Sequence, residues 1–139
     1  MPVECRLFPD STRTAAEAAA AIGCEVGDIA KSLVFRTESG GVVLVIASGS
    51  DRVDERRLSE LVGEPVERPD ARFVRDQTGF VIGGVAPVGL ACEANVFIDE
   101  ALVSRGTVWA SAGTPHSVFR IEASALGDLS GGRVVDVAR

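Results

Sequence analysis

The spacing of apolar and polar residues divides the chain into short helices and β-rich runs. Thr14-Ala15-Ala16-Glu17 has the form of a capping box and opens an alanine-rich helix that Gly23 stops. Two apolar runs, Ile29-Ala30-Lys31-Ser32-Leu33-Val34-Phe35 and Val42-Val43-Leu44-Val45-Ile46-Ala47, flank a Gly40-Gly41 pair and read as a hairpin buried on both faces. Residues 54–62 have helical spacing, with Leu58, Leu61 and Val62 on one side and charges on the other, and Gly63 ends the run. The pattern then predicts a short helix over 69–77 and strands over 95–98, 107–110 and 117–121. A helical turn over 123–129 and a strand or tail over 134–137 complete the series.

No internal repeat, low-complexity tract or linker interrupts this order, so residues 1–139 read as one domain. Several strand pairs lie too close in sequence for crossover helices. The expected fold is therefore α/β, with a mixed, mostly antiparallel sheet flanked by helices.

Composition narrows the class. A 46% hydrophobic content argues for a packed globule rather than disorder. The run over 42–47 is far shorter than the roughly 20 apolar residues that span a bilayer. The start, Met1-Pro2-Val3-Glu4-Cys5-Arg6, lacks the pattern of a signal peptide. Cys5, Cys24 and Cys92 form neither a CxxC pair nor a disulfide framework, which suits a reducing cytoplasm. With one histidine, zinc-ligand spacing is missing, and no metal or other cofactor is expected. A net charge of −6 opposes an extensive grip on phosphates, so any RNA contact must come from a local cluster of cations.

The commoner catalytic patterns do not occur. Ala110-Ser111-Ala112-Gly113 is not a GxSxG elbow, alanine precedes the one lysine where a P-loop needs glycine, and no GxGxxG follows a first strand. A nucleophile–base pair would have to be built on His116, and nothing near it supports one.

What remains is sparse. Lys31 is the single lysine beside thirteen arginines. Its compact charge suits a phosphate or a developing oxyanion, or else it merely snorkels from a strand edge. Gly83-Gly84-Val85-Ala86-Pro87-Val88-Gly89 can aim backbone N–H groups at a carbonyl oxygen, or can serve as a tight turn. Ser111-Ala112-Gly113-Thr114-Pro115-His116 is a second turn, whose histidine either orients a substrate or is an ordinary loop residue. Residues 51–75 hold six arginines and seven acids, a solvated helix face unless folding segregates the signs and brings Arg52, Arg56 or Arg72 to an RNA stem.

In this order, the motifs resemble the YbaK/EbsC editing family, related to the insertion domain of bacterial prolyl-tRNA synthetases. The matching pieces are the helix at Thr14-Ala15-Ala16-Glu17, the strand around Lys31, Asp51-Arg52-Val53-Asp54, Thr78-Gly79-Phe80 through Gly89, Val96-Phe97-Ile98-Asp99-Glu100, and Ala112-Gly113. The resemblance covers nearly the whole chain. It implies a cytoplasmic aminoacyl-tRNA deacylase that removes alanine, cysteine, serine or 2-aminobutyrate from tRNA, most often tRNA for proline. It also implies the site. Lys31 would hold the phosphate end of the substrate, and the family's GxxxP loop maps onto Gly83, Gly84, Val85, Ala86 and Pro87, whose backbone would embrace the ester and position water. Gly113 and His116 fall where some members place pocket residues. The implied partner is the acceptor end of aminoacyl-tRNA, either sufficient by itself or delivered by an aminoacyl-tRNA synthetase, with neither membrane nor DNA involved. The competing reading is a non-catalytic binding module that retains the editing fold.

Overall fold

The computed structural model describes residues 5–8 and 14–139; residues 1–4, which carry most of the N-terminal leader reading, lie outside it. Three helices follow one local rule. Helices α1 (Ala15–Ile22), α2 (Glu55–Val62) and α3 (Ala71–Thr78) each open on a side-chain cap, from Thr14, Asp54 and Asp70, and close on Gly23, Gly63 or Gly79 in the left-handed region. At α1, Thr14 Oγ1 accepts from the Glu17 N–H at 3.1 Å and donates to Glu17 Oε1 at 3.0 Å. The two remaining helices, α4 (Glu100–Val103) and α5 (Leu126–Ser130), are short.

The strands are β1 (Cys5–Leu7), β2 (Ile29–Thr37), β3 (Val42–Ser48), β4 (Val66–Glu67), β5 (Asn95–Asp99), β6 (Thr107–Ser111), β7 (Ser117–Glu122) and β8 (Arg133–Val135). They form one mixed sheet in the order β1-β7-β6-β2-β3-β5-β8, with β4 attached to β2. The β1–β7, β2–β3, β2–β4 and β6–β7 pairs are antiparallel, and the β2–β6, β3–β5 and β5–β8 pairs are parallel. The expected fold class is the one observed. The pattern missed β1, β4 and α4, because two to four residues cannot display a period. Leu61, expected to face inward on α2, is 37% exposed.

Among the described residues the sheet carries three apolar clusters: one where α1 packs on Ile29, Trp109 and Val118, and two larger ones separated by strand alternation. Ala30, Val34, Leu44, Ile46 and Ile98 pack on one face, with Val74, Val85 and Leu126. Phe35, Val43, Val45, Ala47 and Phe97 pack on the other, with Leu58 and Val137. Strand β3 is buried throughout, as the hairpin reading expected. Strand β2 is not: Lys31, Ser32 and Leu33 are only partly covered. The cause is pairing. On the side away from β3, β2 meets β6 only at Ile29 and Ala30, and β4 only at Arg36 and Thr37. Residues 31–35 have no strand beside them on that side.

Asp99 is the anchor the sequence reading passed over. Its carboxylate is 1% exposed. Oδ2 accepts from the Ala101 N–H at 3.2 Å and caps α4, while Oδ1 accepts from the Val137 and Ala138 N–H groups at 3.0 and 3.1 Å. One buried side chain thus ties the end of β5 to the C-terminal segment. Asp99→Ala leaves these donors unpaired and is expected to cost about 2–4 kcal/mol of stability, read as a lower urea midpoint at unchanged m-value.

Candidate active site

The bare stretch of β2 becomes the floor of a cleft of about 240 Å³. Thr37 N–H and Ile29 C=O both bond toward β3, so by the two-residue period the main-chain groups of Ser32 and Val34 turn into the cleft. The opening is five residues long, roughly 17 Å at strand rise, and is closed at its two ends by β6 and β4. One side of the cleft is made by Arg68, Pro69, Val74, Ile82, Gly83 and Val85, the other by α1, Trp109, Ser111, Thr114 and Ser117. The interior is mainly apolar, with a few hydroxyls at the rim.

Lys31 points to the opposite face from Ala30, Ser32 and Val34. Its Nζ donates to the backbone carbonyl of Asp51. Burial pushes the ammonium below the ordinary lysine range. The Asp51 charge opposes that shift, while Arg68 and Arg52 reinforce it. A second hollow of about 240 Å³ lies on this face, lined by Lys31, Leu33, Phe35, Arg52, Glu55 and Arg68. Lys31, Leu33 and Arg68 line both spaces, so the hollow and the cleft are neighbours at the strand edge.

The glycine-proline loop forms the facing wall. Gly84 N–H bonds Val81 C=O at 2.9 Å, which places Gly83 third in a turn with φ +85°, a conformation that favours glycine. Gly83 and Val85 line the cleft; Ala86 lines a separate apolar groove with Phe80, Val88 and Phe119. Gly84 is buried against the second turn: a Cβ there would stand 2.8 Å from Pro115 Cδ and N. Pro87 is buried and does not line the cleft. In the second turn, Thr114 reaches the cleft but Gly113 and His116 do not line it. His116 is exposed, with its backbone N–H on Thr114 Oγ1 at 3.1 Å and its ring Nδ1 3.4 Å from Phe8 O.

The arginines sort differently from the sequence expectation. Arg56 and Arg72 pair along their own helices with Glu60 and Asp76 and stay in solvent. Arg68, which the sequence reading did not single out, reaches the site, and Arg52 reaches it as one of the alternatives kept open. Ser32 was also overlooked. Its Oγ is buried and is the one such side-chain atom without a hydrogen-bond partner among the described residues. Strand alternation from Lys31 was the available signal for Ser32; for Arg68 there was none, since its position depends on where β4 ends.

Residues 9–129 match the model of the aminoacyl-tRNA editing domain. The chain belongs to the aminoacyl-tRNA editing domain family. A similar protein is YwhH of Bacillus subtilis, 34% identical over 133 residues, covering 95% of this chain and 85% of that protein. EbsC of Enterococcus faecalis, named as a candidate Cys-tRNA(Pro)/Cys-tRNA(Cys) deacylase, is 24% identical over 125 residues, covering 89% and 76%. A crystal structure described as a candidate trans-editing enzyme for prolyl-tRNA synthetase superposes with a TM-score of 0.90 at 43% identity, covering 99% of this chain and 87% of that one. Among the described residues of this editing domain, no group of histidine, cysteine and carboxylate side chains is placed to hold a metal, and no helix is long and apolar enough to cross a membrane.

Two substitutions test this geometry. Gly84→Val must push the loop off Pro115 and is expected to lower the melting temperature and deform the cleft, visible as shifted amide resonances across 81–89 and 113–117. Ser32→Ala removes an unsatisfied buried hydroxyl and is expected to raise the melting temperature by roughly 1–4 °C.

Proposed function

We propose that this editing domain is a trans-editing hydrolase that deacylates mischarged aminoacyl-tRNA, with tRNA(Pro) carrying alanine, cysteine, serine or 2-aminobutyrate as its substrate. The observation that carries the reading is the cleft at the open edge of β2. A half-buried lysine lies on one side of it and the Gly83–Val85 backbone on the other, in a member of the editing family.

The chemistry asked of the site is modest. An aminoacyl ester is already activated, so positioning and stabilisation of the developing oxyanion suffice. The cleft offers hydroxyls from Ser32, Ser111, Thr114 and Ser117, but no carboxylate, imidazole or thiol among its described lining residues. A covalent enzyme intermediate through a base-activated nucleophile is therefore not the mechanism we favour. Lys31 holds the phosphate end of the substrate, the backbone of the Gly83–Pro87 loop embraces the ester carbonyl, and water attacks with help from the terminal ribose hydroxyl. The apolar interior then selects by size. One methylene in such a pocket is worth about 1–3 kcal/mol, so proline is spared by steric exclusion. Delivery by prolyl-tRNA synthetase fits the naming of the similar crystal structure.

The test is release of amino acid from tRNA(Pro) charged with alanine, serine, cysteine, 2-aminobutyrate or proline. Release of a small residue with proline spared supports the deacylase. Binding of the same tRNAs without release of any would instead mean a non-catalytic module. Lys31→Ala is expected to lower kcat/KM at least about 100-fold without loss of melting temperature. The sign for stability follows from burial: a lysine whose pKa is depressed by the fold is disfavoured in its charged form at neutral pH, so removing it forfeits no folding energy from that charge.

A further inference from the structure

Lys31, Arg52 and Arg68 line one hollow on the Lys31 face of β2, and Lys31 and Arg68 also line the apolar cleft beside it. In a chain of net charge −6, such a grouping stands out. Neither Arg52 nor Arg68 has a carboxylate within ion-pair distance among the described residues, whereas Arg56, Arg57, Arg72, Arg75 and Arg105 all do. The acids nearby are Asp51, which accepts from Lys31 through its backbone carbonyl, and Glu55 at the hollow's edge.

The cations stand on anchored backbone. Arg52 C=O accepts from the Arg139 N–H at 2.8 Å, and its neighbour Val53 bridges Ala138. Arg68 follows β4 directly, and its guanidinium lies 5.3 Å from the centroid of the Phe35 ring. That stacking leaves guanidinium N–H groups for another acceptor. Lys31 spends one of its N–H donors on Asp51 and keeps two. Three cations against one lining carboxylate, Glu55, with no ion pair on either arginine among the described residues and with Lys31 and Arg68 shared with the acyl cleft, describe a receptor for a dianion or a pair of phosphodiesters.

We infer that Arg52 and Arg68 complete a phosphodiester subsite with Lys31, and that β2 divides the substrate, with the terminal phosphates of an RNA 3′ end on the Lys31 face and the aminoacyl group on the Ser32 face. The inference rests on the deacylase reading for its acyl half. The anion site can be read without turnover.

The experiment measures kcat and KM on mischarged tRNA(Pro) from 50 to 200 mM KCl for the wild type, Arg52→Ala, Arg68→Ala and Arg68→Lys, with Arg56→Ala as a control. Binding of a 5′-fluorescein RNA ending in CCA is followed in parallel by anisotropy. Each of Arg52→Ala and Arg68→Ala is expected to raise KM and the RNA Kd roughly tenfold at 50 mM KCl with kcat little changed. Each is also expected to flatten the log–log salt slope by about 0.7–0.9. Arg68→Lys should recover the salt slope, and Arg56→Ala should behave as wild type. Unchanged KM, Kd and slope in both alanine variants would overturn the inference, as would an equal loss in Arg56→Ala. A wild type that binds the RNA in this arginine-dependent way but releases no amino acid would sink the deacylase reading and leave the anion site standing.

Discussion

The site exists because one strand is paired along only part of its outer edge. A buried backbone N–H or C=O must find a partner, and neighbouring strands normally provide it. Strand β6 leaves β2 after Ala30 and β4 joins only at Arg36, so the main-chain groups of Ser32 and Val34 turn into a cleft instead of a ladder. An edge this short is protected from pairing with another chain, yet it still offers a donor and an acceptor in fixed positions. The rest of the architecture serves this gap. The fully buried β3 holds β2 straight from the other side, and the turn containing Gly83 is pressed into place by Pro115.

The same edge explains how different chemistries sit within a few residues of one another. Alternation sends Lys31 and Leu33 to one face and Ser32 and Val34 to the other, and where the neighbour strand is missing residues of both faces line one cleft. A long substrate with a charged and a small uncharged end matches that division. In a fully paired sheet, the two faces would be separated by hydrogen-bonded backbone, and Lys31 could not serve a ligand on the Ser32 side.

What the sequence revealed was whatever has a local cause. The Thr14 cap, the stop glycines Gly23 and Gly63 and the Gly40-Gly41 hairpin all act within a turn or two, and the helices and strands they delimit stand close to where spacing placed them. The lysine and the glycine-proline loop were legible as unusual local composition, and Lys31, Gly83 and Val85 line one cleft. Placement that depends on distant pairing was not legible. Arg68 was passed over because only the end of β4 brings it beside Lys31, and Arg56 and Arg72 were entertained although i,i+4 partners hold them in solvent. Asp99 looked like one strand residue among several, since its partners lie 38 and 39 positions away.

Net charge and local charge then act at different ranges. At physiological ionic strength the screening length is about 8 Å, so the acidic exterior and the cationic hollow are felt by different parts of a bound RNA. A hollow with three cations can hold one or two phosphates, while the surplus of acids elsewhere weakens any grip on the body of a tRNA. For the proposed deacylase this balance has a use. Affinity confined to the 3′ end lets a corrected tRNA leave once its ester is gone, and it favours a synthetase that brings the substrate over a domain that searches for it alone.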